Sequence, residues 1–384
     1  MTELLPQSAD ELGDMVARAT GPLRIEGGGT RPIGQLTGGQ VLRTTGLNGI
    51  DLYEPGALTL VAKAGTPLAE IEKTLAAEGQ RLAFEPMDHR GVLGTTGEPT
   101  VGGMVAANVS GPRRIQVGAC RDSLLGVKFV DGSGQLISNG GRVMKNVTGY
   151  DLVKLMAGSY GTLGVLSEVA LKVLPMPETE QTLILHDTPT AQAIDAMSSA
   201  LGSPWEVTGA AHIPLTASDQ PDTMLRVEGT QASVAYRIDA LKTRLAEYGD
   251  MNVVEHDVSR VAWQRLRDLD MFGDAHTSGD VWRISLKPTD APDFLARMGD
   301  GARAQLDWGG GLIWLLCPEE TGITGTEIRA ALTEIGGGHA TLIRGQDANA
   351  FHPLPKPIED LQRGLRQKFD PRGILNPGLM EQAA

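Results

Sequence analysis

The chain has 384 residues, 41% apolar and 21% charged, which suits two or three domains with ordinary buried cores and excludes a disordered chain, a collagen and a disulfide mini-protein. Lys and Arg number 34 against 47 Asp and Glu, a formal net charge of −13, which argues against general nucleic-acid binding and against docking on anionic lipid. A phosphate-bearing ligand stays open, because main-chain N–H groups can hold one without any net positive charge.

The 49 glycines are in excess and fall in short runs without a period, marking shaped loops. Cys120 and Cys317 are far apart and form neither a disulfide framework nor a metal pair. The N-terminus shows no secretory leader, and no apolar run approaches the ~18 residues of a membrane span. The expectation is a cytoplasmic chain with no transmembrane segment.

In chain order, Leu23 to Glu26 is predicted as a strand running into Gly27-Gly28-Gly29, and Leu58 to Lys63 as another. Pro67 to Glu78 has helical spacing, with Leu68, Ile71 and Leu75 on one face and Gly79 as its stop. Val127–Val130 and Gln135–Ser138 flank Asp131-Gly132-Ser133-Gly134, a hairpin signal. Val165 to Leu174 reads as a long strand. Pro175-Met176-Pro177 breaks the chain, and beyond it glycine thins. Strands are predicted at 182–186, 224–227, 251–255, 281–286, 311–317 and 340–344, and helices at 191–201, 232–248 and 327–335. That pattern suits an antiparallel sheet with helices on one face. No sequence repeat of fixed period is present. A basic amphipathic helix over 358–369 precedes Asp370-Pro371 and Asn376-Pro377-Gly378.

Three glycine loops carry chemistry. Glu26 to Pro32 follows a strand, and its glycines let successive N–H groups turn toward one anion. In Thr100 to Asn108 a glycine pair opens a short helix, whose N–H groups would also face a ligand. Gly158 to Gly164 runs into the strand at Val165. Together they point to one extended, phosphate-bearing ligand. No P-loop occurs, and Gly299 to Ala304 matches G-x-G-x-x-A only after a helix-like stretch, so a Rossmann domain is not expected.

These residues resemble the flavin-binding domain shared by vanillyl-alcohol oxidase and p-cresol methylhydroxylase (the PCMH-type FAD-binding family). Pro22 to Thr30 is similar to its diphosphate loop and Thr100 to Asn108 to its second flavin loop. Lys145 to Leu152 with Gly158 to Glu168 resembles its closing segment, and Asp370 to Gly378 its C-terminal element. Within that family Ser110 to Arg114, Val143 to Asn146, Asp307 to Gly310 and Gly337 to Ala340 resemble the E subunits of bacterial glycolate oxidases. The resemblance implies an α+β fold: a PCMH-type FAD-binding domain of two α+β subdomains over 1–176, a ferredoxin-like α+β cap or substrate domain over 177–350, and a C-terminal segment, 351–384, returning to the FAD domain. It implies FAD, and oxidation of glycolate, a 2-hydroxy acid, to glyoxylate. Partners would be a second flavoprotein subunit and an iron–sulfur subunit, which could bring the chain to the inner membrane. A stand-alone FAD dehydrogenase of another hydroxy acid or an alcohol, and a non-catalytic FAD-holding assembly subunit, are the alternatives.

By the same resemblance Gly27, Gly28, Gly29 and Thr30 wrap the diphosphate. Thr100, Val101, Gly102, Gly103 and Asn108, with Gly111 behind them, lie along the flavin. Gly161, Thr162, Gly164 and Val165 pass the adenine–ribose side, Asp151 belongs to the closing segment, and Asn376 closes over the isoalloxazine. Thr30 and Arg31 occupy the first loop and no Cys precedes Gly102, so noncovalent FAD is expected. Hydroxy-acid oxidation needs a cation for the carboxylate and a base for the hydroxyl proton. Arg283 and Arg344 are candidates for the first and His339 for the second. Arg113, Arg114 and Arg121 are expected to meet phosphate or a partner. The seven histidines are scattered and no metal site is expected.

Overall fold

The computed structural model describes residues 3–34, 38–141, 149–214, 220–273, 278–347 and 349–381. Val143 to Asn146 and Lys145 to Thr148, which carry part of the resemblance, lie outside the described residues.

The first lobe is built on two main sheets and a short antiparallel pair, Gln80–Arg81 with Leu174–Pro175. Leu23–Glu26 and Gln40–Arg43 form a parallel pair, bridged to Leu4 on one side and to Leu375 on the other. A five-stranded antiparallel sheet follows, in the order Ile50–Glu54, Thr59–Lys63, Val165–Lys172, Leu124–Val130, Leu136–Gly140. The central strand joins two cores. Val165 packs with Leu12, Leu23 and Leu375, whereas Val169, Leu171 and Val173 pack with Ile71, Leu75 and Val101. The helix Leu68–Ala77 forms because Ile71 and Leu75, one turn apart, are fully buried, with Pro67 before it and Gly79 at φ +63° beyond its end.

The second lobe is one eight-stranded antiparallel sheet in the order Met251–Val254, Thr179–Leu185, Asp222–Gly229, Val207–Ile213, Arg303–Asp307, Leu312–Cys317, Asp280–Ser285, His339–Arg344. It contains two β-α-β-β-α-β units, residues 179–254 and 280–344, each of ferredoxin-like connectivity. They meet edge to edge where His212 pairs with Leu306. The repeat lies in the topology, which is why no sequence period betrays it.

The helices Thr190–Leu201, Gln231–Arg244, Ala291–Met298 and Gly325–Glu334 share one face, burying Met197, Ile238, Phe294 and Leu332 against Trp282, Ile284 and Leu315. The other face is not bare. The helix His256–Asp268, absent from the sequence expectation, lays Trp263 and Leu266 over Ala211 and Met224. Beyond it, Val281, Leu312, Trp314 and Ile343 join the core of the first lobe. Strand alternation therefore sends Trp282 and Ile284 to the helices and Val281, Arg283 and Ser285 toward the first lobe.

A buried ion lattice ties the lobes. Glu228 of the second lobe meets Arg81 at 2.7 Å and also Arg113, and Arg226 meets Glu85 at 2.8 Å. Burial pushes the Glu228 carboxyl up, but Arg226, Arg81 and Arg113 outweigh it and hold it well below the usual range. Arg113, expected at a phosphate or a partner, is part of this lattice instead.

Candidate functional site

The Leu23–Glu26 strand delivers the chain into Gly27-Gly28-Gly29-Thr30-Arg31 at the wall of a cavity of about 310 Å³. A Cβ on Gly27 would sit 2.4 Å from Thr100 Oγ1, and one on Gly28 would sit 1.6 Å from the Glu98 carbonyl oxygen. Gly29 takes φ +71°. The second loop thus presses on the back of the first, and only glycine admits it. The amides of Gly28, Gly29, Thr30 and Arg31 find no acceptor among the described residues. Successive unpaired N–H groups in a side-chain-free bend make an anion nest, so the residues present fit a diphosphate.

The second loop contributes differently from the expectation. The Val101 amide donates to the Thr66 carbonyl at 2.9 Å, Gly102 to Ala64 at 2.7 Å, and Gly103 to Thr100 Oγ1 at 3.2 Å. Its N–H groups are occupied by protein, and Gly102 and Gly103 line the cavity, Gly102 so close to Ala64 that a Cβ would sit 2.7 Å from its carbonyl oxygen. Gly161 and Gly164 line the same cavity. Asn376 also lies on this wall, with its amide fully engaged: Oδ1 accepts from the Ile25 amide at 2.8 Å and Nδ2 donates to the Tyr160 carbonyl at 2.8 Å. It fastens the C-terminal segment to two cavity loops.

Other expected cofactor residues stand back. Val101, Thr162 and Val165 are buried supports. Gly111 packs against Glu85, and its carbonyl accepts from Trp308 Nε1 at 3.0 Å, a contact between the lobes. Asp151 is an exposed cap of the helix Leu152–Met156 and faces neither cavity.

A second cavity, about 710 Å³, lies between the first lobe and the exposed edge of the eight-stranded sheet. Arg31, Ile33, Ala107 and Tyr160 line both cavities and so mark the passage between them. Asn108 belongs to the second, with its Oδ1 accepting from the Arg121 amide at 3.0 Å.

The second cavity is cationic. Arg31, Arg114 and Arg283 line it, and no Asp or Glu does so among the described residues. Arg31 donates to the Gly103 carbonyl at 3.4 Å, and its buried Nε has no partner among the described residues. Arg114 and Arg283 stack on the Trp308 ring at 4.4 and 5.2 Å from its centroid. Burial lowers the Arg283 guanidinium to about 10, with Tyr160 opposing and Arg114 adding to the effect. In a chain of net charge −13, three guanidiniums without a carboxylate at one cavity fit a small anion.

His339 stands on the same wall, its imidazole held below its usual range by burial and then by Arg283, His352 and Arg114. The structure thus brings Arg283 and His339 together and leaves Arg344 out. Arg344 turns away to the carbonyls of Val92 at 2.9 Å and Phe272 at 3.1 Å. The other guanidiniums on this wall are those of Arg31 and Arg114. Arg31 and Tyr160 lie inside two of the glycine loops and Trp308 inside Asp307 to Gly310, so their neighbourhoods carried a signal, whereas His89 carries none.

Residues 3–140 match the family described as FAD binding domain. Over 363 residues, 94% of this chain and 92% of the relative, the sequence is 37% identical to glycolate oxidase subunit GlcE of Escherichia coli (strain K12). It is 29% identical over 306 residues to glycolate oxidase subunit GlcD of Bacillus subtilis (strain 168), spanning 77% of this chain and 62% of that one. Among solved structures, an alkyldihydroxyacetonephosphate synthase superposes with a TM-score of 0.71 over 97% of this chain and 75% of that chain at 16% identity, a likeness of fold.

Proposed function

Because this chain belongs to the glycolate oxidase GlcE family of PCMH-type FAD-binding proteins, we propose that it is the FAD-binding subunit of a complex that oxidises glycolate to glyoxylate. It is an FAD-dependent oxidoreductase of the 2-hydroxy-acid class. The observation that carries the substrate reading is the cavity lined by Arg31, Arg114 and Arg283 without an opposing carboxylate, joined to the glycine-lined cavity through Arg31 and Tyr160.

In this reading residues 1–176 and 351–384 hold the dinucleotide, and 177–350 cover the reacting end. The amides of Gly28 to Arg31 would take the diphosphate, with Gly161 and Gly164 leaving room beside it. When bound, flavin supplies a two-electron acceptor for hydride from the substrate carbon. Arg283 with Arg31 or Arg114 orients the carboxylate, and the lobes shield the site from water. Electrons would leave to an iron–sulfur subunit, with a second flavoprotein subunit completing the complex in the cytoplasm. No helix among the described residues is long and apolar enough to cross a membrane.

The first loop offers Thr30 and Arg31 and neither His nor Cys, so FAD is held noncovalently, and acid precipitation should leave all flavin in the supernatant. The deciding experiment adds glycolate anaerobically to the purified yellow chain. Bleaching of the visible flavin band by the chain alone supports a complete active site. Bleaching only after partner subunits are restored would assign the chain to electron relay or assembly.

A further inference from the structure

We propose that His89 receives the hydroxyl proton of a 2-hydroxy acid bound in the second cavity, in the place sequence reasoning assigns to His339. The inference rests on the oxidoreductase reading above and adds a base to it.

His89 lies at the wall of the second cavity with Arg31 and Arg283. Its Nδ1 is 3.3 Å from the Met87 carbonyl oxygen. A carbonyl only accepts, so Nδ1 carries the hydrogen and Nε2 keeps its lone pair. Nε2 has no partner among the described residues. His89 is 7% exposed, and its backbone is fixed from both sides. The Asp88 amide donates to Asp268 at 2.9 Å, while the Asp88 carboxylate accepts from the Arg90 amide at 3.0 Å and from its guanidinium at 2.8 Å.

Position separates the two histidines. The charged neighbours of His89 are Arg31 and Arg283, whereas those of His339 are Arg283, His352 and Arg114. Arg31 lines both cavities. His89 therefore stands at the cofactor end of the cavity, and His339, the more exposed of the two residues, stands at the outer end. A hydroxyl proton and a hydride leave adjacent atoms of one substrate, so the base must stand near the passage.

Burial, Arg31 and Arg283 hold the free imidazole neutral, well below its usual range. A substrate carboxylate that pairs with the two guanidiniums cancels part of their field, so the ring becomes more basic when the substrate arrives. The step balances: the O–H proton goes to Nε2, the C–H hydride with its electron pair goes to the flavin, and the C–O bond becomes a carbonyl. The proton then passes to solvent.

The test compares FAD-loaded wild type, His89→Asn and His339→Asn. Asn can still donate to the Met87 carbonyl but offers no basic nitrogen. Expected is that His89→Asn keeps its flavin and binds oxalate within about threefold of wild type, while flavin reduction by glycolate slows by roughly 10²–10⁴-fold and His339→Asn slows it far less. Side-chain ¹⁵N NMR of the flavin-loaded protein should show His89 as the Nδ1–H tautomer at neutral pH, with Nε2 shifting on addition of oxalate. Wild-type reduction rates in His89→Asn, or an imidazolium or Nε2–H tautomer at His89, would overturn the proposal alone. A wild type, partners included, whose flavin no 2-hydroxy acid reduces would overturn the oxidoreductase reading and the proposal with it.

Discussion

At the residue scale, neighbouring glycines have different reasons to be glycine. Gly28 faces the Glu98 carbonyl at a distance no Cβ tolerates. Gly29 has open space, with only Arg43 Nη1 at 3.7 Å, and a left-handed φ. Gly28→Ala should push the two loops apart, costing about 1–3 kcal/mol by overpacking and abolishing flavin retention. Gly29→Ala should cost only about 1–2 kcal/mol and keep some flavin. Thermal melts and visible spectra of the two variants check this. Asp307 is a second case. Burial pushes its carboxyl up to about 7, although the Trp308 amide and Arg226 oppose the shift. The folded chain thus holds this proton more tightly than the unfolded chain, whose ordinary value is 3.8. Its stability contribution is complete below that value and is lost as pH rises through about 7, by a total of order 4 kcal/mol. Asp307→Asn, which still accepts from the Trp308 amide, should match wild type in urea unfolding at acid pH and exceed it in alkali. Arg283→Gln should weaken oxalate binding by about 2 kcal/mol, roughly thirtyfold.

At the element scale, two features depend on what lies opposite rather than on local pattern. The helix His256–Asp268 buries Ser259, Trp263 and Leu266, and leaves Val258 and Val261 exposed. Its inward stripe begins with a serine whose hydroxyl donates to Glu180 at 2.7 Å, so apolar periodicity does not reveal it. The helix opening at Val101 shows glycines where a ligand was expected, and the structure puts Ala64 and Thr66 carbonyls there. The ion lattice between lobes is also invisible locally, since Arg81 and Arg113 are distant in sequence from Arg226 and Glu228. Glu228→Gln leaves buried guanidiniums without their carboxylate and should cost about 3–5 kcal/mol. Arg18→Ala, at an exposed i,i+4 pair, should change stability by less than about 1 kcal/mol. Urea unfolding of both variants makes the comparison.

At the scale of the whole molecule, the C-terminal segment closes the first lobe. Leu375 bridges to Leu23, the Leu375 amide donates to Asp370 at 2.7 Å, and Asn376 holds Ile25 and Tyr160. Removing residues 371–384 should therefore abolish flavin binding even though the glycine run is untouched. Flavin titration of the truncated chain against the full one measures it.

Some of this was written locally. Strands at 23–26, 165–172 and 280–285, the helix at 68–77 and the glycine bends follow from side-chain period and from glycine itself, because those preferences act within a few residues. Tertiary structure alone decided which amides of the glycine loops stay unpaired. It also put Arg31, His89, Arg114 and Arg283 around one cavity and sent Arg344 elsewhere. Such choices depend on which distant carbonyls and carboxylates are brought within hydrogen-bond reach, and that is settled only when the two lobes pack.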